Sequence, residues 1–447
     1  MKRRPFLPIV GWSTSQAAGD DPDRIPPAVR RNTLLLALAQ ASVGVGNQLV
    51  PALGALLVVK LSGSPALAGL ATALLGGSRF LVAYPVGQLS DRSGRRAGLL
   101  LGCLLCVAGA VLIGASVAVT SFPLFVLGQL LFGLGVGASQ QLRLAAADMY
   151  PPERRGEGLG LVLTGSLVGA LGGPALLAVA EAAALPLGLD PLALVWFLVP
   201  VVVGPGLALV GALRPDPKDI AASLTSYYPD WHAARQPSGV PRLASRSVAR
   251  VALVNSFAIH GNMSLIMALA ALALGRSGAG VTAVSVAVAL HVVGMYGLSL
   301  PLGRLADRLG RLPLLASGGL LASVGSCLVA LATDYASITA GACLVGLGWS
   351  CMNVTVSALL ADATAPDERG RAIGLNDSLS ALSSLALPLL GGPLVAAAGF
   401  ASLAPFSLVL LAPAVASSVW LERRRSASSS ASPGSPLTHT PLSGGSA

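Results

Sequence analysis

Charge is what this sequence has least of. Only 11% of its 447 residues are charged, 54% are hydrophobic, and the mean hydropathy is +0.75. Soluble globular chains carry about 25% charged residues. A chain this apolar cannot hide its surface from water by folding on itself, which excludes a soluble domain and points to a polytopic membrane protein. Lysine is nearly missing, with three residues against 26 arginines, a bias that suggests a GC-rich bacterial source. Cysteine is scarce too. Cys103, Cys106, Cys327, Cys343 and Cys351 all fall inside apolar runs. No His or further Cys accompanies the Cys103/Cys106 pair, so these thiols read as small buried hydrophobes, not as a metal or redox site. The chain shows no Ser/His/Asp set, metal cluster, Walker loop or Gly-x-Ser-x-Gly elbow. These absences argue against an enzyme, against a bound cofactor or metal, and against ATP-driven pumping by this chain.

What is present is hydrophobic length. About twelve apolar runs lie near 33–59, 66–88, 97–118, 122–147, 157–181, 192–213, 249–273, 280–302, 312–332, 336–361, 371–397 and 401–421. Each is long enough to cross a hydrocarbon layer of roughly 30 Å as a helix. Helices are the expected form, because lipid offers no partner to an unpaired backbone group. Residues 1–32 read as a cytoplasmic tail, 33–213 as one bundle, 214–248 as a Pro-rich cytoplasmic linker, 249–421 as a second bundle, and 422–447 as a disordered Ser/Pro/Gly tail.

The few cations are placed asymmetrically. With the N-terminus inside, 25 of the 29 Lys and Arg fall in the tails, the linker and the inside loops, while only Lys60 and Arg276 fall outside. Positive residues stay on the cytoplasmic side, so both termini are expected there, in a bacterial inner membrane. The net charge of +10 is therefore a topology signal, and no nucleic-acid partner is implied. The lipid bilayer and a small solute are the expected partners.

Two short charged hairpins organise the runs. Gly87-Gln-Leu-Ser-Asp91-Arg92-Ser-Gly94-Arg95-Arg96 returns as Gly303-Arg-Leu-Ala-Asp307-Arg308-Leu-Gly310-Arg311, a shift of 216 residues. Asp148…Arg155-Gly156 returns as Asp362…Arg369-Gly370, Gly46-Asn47 as Gly261-Asn262, and Pro85 as Pro301. The chain is thus two six-helix halves in parallel.

These hairpins resemble those of the major facilitator superfamily, whose G-x-x-x-D-[RK]-x-G-[RK]-[RK] motif is complete in the first half and departs only at Leu312 in the second. The resemblance covers about 33–421. It implies an all-α membrane fold of twelve spans in two pseudo-symmetric bundles, rocking about a solute pathway between them. It also implies a cytoplasmic latch of Gly87, Asp91, Arg92, Gly94, Arg95, Arg96, Asp148 and Arg155, closed when the cavity faces outward. The mirrored latch is Gly303, Asp307, Arg308, Gly310, Arg311, Asp362 and Arg369. On the residues themselves, Gly87 and Gly94 permit tight turns and close helix approach, Arg95 can bridge Asp91 to Asp148, and Asp91 suits the N-terminus of run eleven.

Gly160-x8-Gly169-x3-Gly173-Pro174 in run five resembles the core of the drug:proton antiporter motif, although Leu177 and Ala178 stand where further glycines are usual. That branch often carries an Arg in run four where this chain has Gln129. Physically, the stretch gives a small-residue packing face and a proline bend.

Ionisable groups inside the runs cost about 2.5–3.5 kcal/mol each at the bilayer centre. Arg79, mid-way along run two, suits an anionic group. Arg143 reads as a gate residue, with Asp377 as its cross-half partner or as a proton site. His260 and His291 are candidate relays. Gln40, Asn47, Gln48, Asn262, Trp349 and Asn353 suit a hydrogen-bonding cavity wall. The expectation is proton-coupled efflux of small organic compounds by a monomer. The alternative is a proton-linked carrier of a specific, anionic metabolite.

Overall fold

The computed structural model describes residues 25–151, 154–229, 242–363 and 369–430. The outer parts of both expected tails and the middle of the linker lie outside that set. The described residues form helices and connecting turns, with no strand among them. The first half holds α1 (Pro27–Ser62), α2 (Leu70–Ser93), α3 (Arg95–Ala118), α4 (Phe122–Ser139), α5 (Gln141–Asp148), α6 (Arg155–Leu187) and α7 (Pro191–Gly211). Two short helices follow, α8 (Pro217–Ala222) and α9 (Leu224–Tyr227). The second half holds α10 (Arg242–Arg276), α11 (Val281–Tyr296), α12 (Ser299–Leu309), α13 (Arg311–Leu331), α14 (Tyr335–Ala363), α15 (Arg369–Ala398) and α16 (Leu403–Ser430).

Eleven helical stretches are long and apolar enough to cross a membrane, and α11 is a shorter apolar helix. Together they make the twelve spans of a multi-pass membrane protein, with α4–α5 forming the fourth and α11–α12 the eighth. The eighth run is not one helix as the hydropathy implied. It breaks at Leu298, whose φ of −108° and ψ of 8° leave the helical region. Pro301 then falls in the first turn of α12, where its missing N–H is tolerated. Its repeat mate Pro85 stays inside α2. The fourth run breaks at Gln140, directly before α5.

The helices also outrun the apolar windows. α1 starts inside the expected tail at Pro27, α10 starts inside the expected linker at Arg242, and α16 runs past residue 422 to Ser430. Hydropathy marks the lipid-facing core, whereas backbone hydrogen bonding continues into water. In the first bundle, buried Phe132 meets Trp196 edge-on at 5.2 Å. In the second, Ile259, Val292, Leu315, Met352 and Leu411 form the centre.

The linker is not a free strand at its start. Arg31 donates to the carbonyls of Ala212 and Arg214, and Asn32 to that of Pro215. Asp216 caps α8 through Lys218 N at 2.8 Å. Its carboxylate also accepts from Arg95 N at 3.0 Å and Arg96 N at 3.1 Å, the first free amides of α3. Gly94 makes room for it at φ +91°.

Candidate solute-binding cavity

The halves meet at the end opposite the charged hairpins. Just before α2, a methyl added to Gly69 would land 1.8 Å from the Pro388 carbonyl oxygen of α15. One added to Gly392 would land 2.1 Å from that of Ala66. Backbones this close require glycine. On α6, Gly173 faces Ser285 of α11, and Glu181 accepts the hydroxyl of Thr282. Glu181 lies within α6 and so joins the two halves. At the hairpin end the reverse holds. Methyls built on Gly87, Gly156, Gly160 and Gly374 would meet nothing within 4 Å. The close approach expected at Gly87 and Gly160 is therefore not made in this state, in which the close glycine contacts between the halves lie at the far end and leave a gap toward the hairpins.

Polar side chains line the middle of that gap. Arg79 of α2 donates Nη2 to Asn47 Oδ1 of α1 at 3.1 Å, and its buried Nε has no hydrogen-bond partner. Tyr296 of α11 and Arg143 of α5 lie within its electrostatic reach. Arg143 donates to Gln140 Oε1, and Asp377 of α15, its expected partner, lies within its electrostatic reach without an ion pair between them. Across the gap, Trp349 of α14 meets His260 at 5.5 Å and Tyr296 at 5.8 Å between ring centres, both edge-on. Trp349 Nε1 is buried without a partner. His260 Nδ1 lies 2.9 Å from the Ser256 carbonyl and 3.3 Å from Ser380 Oγ. In the neutral ring that carbonyl assigns the proton to Nδ1 and leaves Nε2 as an acceptor. Arg79 acts electrostatically on this ring. An aromatic wall thus faces two guanidinium groups, and partly unsatisfied donors sit on both sides.

Other candidates lie elsewhere. His291 is buried against α14, with Nδ1 2.7 Å from the Ala342 carbonyl. Asn262 donates to Ser326 at 2.9 Å, so the Asn47/Asn262 symmetry does not extend to their partners. Gln129 donates to the Ala71 carbonyl and Gln40 to Ser166, both as helix-packing bonds. Gln48 is buried beside Gly173. Asn353 is half-buried on α14, and its carbonyl accepts from Ser357. Gly169 packs its backbone on Ala41 and Gly44 of α1, and Pro174 follows within an unbroken α6. Tyr296, Ser256 and Ser380 were not legible in the sequence, since single hydroxyls in apolar helices carry no spacing signal. Among the described residues no group of three or more His, Cys, Asp or Glu can hold a metal.

At the first hairpin, Arg95 pairs with Asp148 at 2.9 Å and with Asp91 at 3.3 Å. The Asp91 side chain is 72% exposed, and Lys218 donates to its carbonyl oxygen. Arg92 and Arg155 are exposed, and Arg96 packs with its Nε buried. At the second hairpin, Gly310 repeats the Gly94 conformation and Arg311 donates to the Ala358 carbonyl at 2.9 Å. Arg308 is exposed. The side chains of Asp307, Asp362 and Arg369, and the surroundings of Gly303, lie outside what is described.

An uncharacterized MFS-type transporter of Bacillus subtilis (strain 168), YddS, is 28% identical over 410 residues, covering 91% of this chain and 94% of its own. The riboflavin transporter RfnT of Brucella anthropi is 28% identical over 357 residues, covering 78% and 85%. A bacterial homolog of the human lysosomal transporter Spinster, solved inward-facing and unoccupied, shares the fold with a TM-score of 0.63 at 17% identity, covering 89% and 97%. The family model described as Major Facilitator Superfamily matches residues 31–226 and 252–445. With that match across both halves, and with the paired bundles and central gap described above, the chain belongs to the Major Facilitator Superfamily and is a membrane transporter of small solutes, not an enzyme.

Proposed function

We propose that this chain is a proton-linked carrier of a planar aromatic solute with an anionic or carbonyl-rich edge, working by alternating access. One observation carries the reading. The aromatic wall of Trp349, Tyr296 and His260 shares a gap with Arg79 and Arg143. Aromatic side chains pack flat rings, and a guanidinium gives a carboxylate, phosphate or imide a planar fork of donors. Two arginines inside the membrane are costly to insert, and an anionic ligand offsets that cost. The riboflavin transporter among the relatives fits this chemistry, since riboflavin is itself a flat heterocycle with two carbonyls. Asp377 beside Arg143 and His260 beside Arg79 are the titratable groups for proton coupling. The hairpin end is assigned to the cytoplasm of a bacterial inner membrane by its positive residues. The gap opens to that side and lies within one chain, so a monomer suffices. The Asp91 and Asp307 hairpins act as the latches of the opposite, outward-facing state.

A second reading is proton-coupled efflux of small neutral or cationic compounds. It is favoured by the Gly169–Gly173–Pro174 stretch, which sits where α6 meets α1 and α11.

The test uses purified protein in proteoliposomes, with riboflavin and riboflavin 5′-phosphate as matched neutral and anionic probes. Saturable, gradient-dependent uptake of either, lost in Arg79→Gln and in Trp349→Ala, is the expected result. Proton release on adding cationic drugs, with no flux of either flavin, would replace it with the efflux reading.

A further inference from the structure

A trough runs down the outer face of the second bundle between α13 and α16, away from the solute gap. Its half nearest the hairpin end has a volume of about 570 Å³ and is lined by Leu320, Leu408, Val415, Val419 and Trp420, with Arg423 at its mouth. Leu320 is 59% exposed and Trp420 45%. Along α16, the lining from Leu408 to Arg423 spans roughly 22 Å at helical rise. That is about three quarters of a hydrocarbon layer of roughly 30 Å, room for one extended acyl chain. The other half of the trough continues past Leu328 and Leu331 and ends at Asp334.

We infer that the half-trough closed by Arg423 binds an anionic phospholipid, with one acyl chain along α16 and the phosphate on the Arg423 guanidinium. The walls, apolar apart from Ser323 and Arg423, favour an acyl chain over a polar ligand, and the length suits one extended chain. A guanidinium binds phosphate oxygens through charge-assisted hydrogen bonds. Trp420, one helical turn from Arg423, lies where an indole sits at headgroup level. The sequence continues with Arg424 and Arg425 against a lone Glu422, a basic cluster of the kind that concentrates anionic lipid beside a span. Asp334 repels phosphate at the opposite end, so the preference belongs to one leaflet only.

The experiment places the full chain in phosphatidylcholine nanodiscs. These are doped with brominated-acyl phosphatidylglycerol or, at equal fraction, brominated-acyl phosphatidylcholine. Quenching at Trp420 is read as the difference in fluorescence between the wild type and Trp420→Phe. The expected result is severalfold stronger quenching by the brominated phosphatidylglycerol. That preference collapses in Arg423→Gln/Arg424→Gln/Arg425→Gln and persists in Asp334→Asn. A thermal melt matching wild type confirms that the triple variant is folded, and Arg423→Gln alone, which weakens the preference in part, serves if it is not. Equal quenching by the two lipids, or a preference that Arg423→Gln leaves undiminished, overturns the site.

Discussion

Replacing Gly94 by Ala tests whether the start of the linker is a structural part of the first bundle. Gly94 holds φ +91° and ψ 157°, and its repeat mate Gly310 holds φ +91° and ψ 155°. This region is open almost only to glycine, and forcing another residue into it costs about 1–3 kcal/mol. At Gly310 that strain is the whole effect, because the nearest atom to an added methyl is Pro313 Cδ at 3.6 Å. At Gly94 the methyl would lie 2.5 Å from Asp216 Oδ2. The carboxylate must then leave the amides of Arg95 and Arg96. Losing a helix cap costs about 0.5–2 kcal/mol. Gly94→Ala is therefore expected to destabilise by about 1–2 kcal/mol more than Gly310→Ala, read as unfolding free energy in mixed micelles titrated with SDS. Asp216→Ala should cost about 1 kcal/mol alone and little more on top of Gly94→Ala, since both remove the same contacts. Equal costs at the two glycines, or full additivity with Asp216→Ala, would refute the reasoning.

Gly69→Leu and Gly392→Leu should abolish transport, because the halves could no longer close at the far end; cysteines placed in the gap should then label from that side. Asp91→Asn should slow transport several-fold while leaving expression and insertion intact, and normal flux would remove the latch role. Asp190 accepts from Lys60 and from Leu192 N, which outweigh the opposing effect of burial and hold its carboxyl below the ordinary range. Its contribution is therefore fully present above the unfolded Asp value of about 3.9 and is lost as pH falls through the lower folded value. Asp190→Asn should thus cost on the order of 1 kcal/mol or less at neutral pH, given its partial exposure, and the gap to wild type should shrink in acid melts below about pH 4.

The sequence alone carried the class, the twelve spans and the two-fold repeat, because each rests on a long-range sum that one dimension preserves. Twenty apolar residues must cross lipid, cations must stay on one side, and a shift of 216 residues needs no coordinates to be seen. It also placed Arg79, Arg143, Asp377, His260 and Trp349 among the candidates, since charge and large polar rings are costly in lipid and so stand out. It had no means to separate them from Gln129, His291 and Asn262, which hydrogen-bond to neighbouring helices of their own half. That sorting depends on which face of a helix meets a neighbour, and the long spanning helices are too uniformly apolar for periodicity to report it. Only the tertiary structure decided that Tyr296 completes the aromatic wall and that the halves touch at Gly69, Gly392 and Glu181. The same is true of Asp216, which reaches back across 120 residues to cap α3. Contacts between distant segments are fixed by close packing of backbones and by hydrogen-bond geometry, and neither leaves a local signature in the chain.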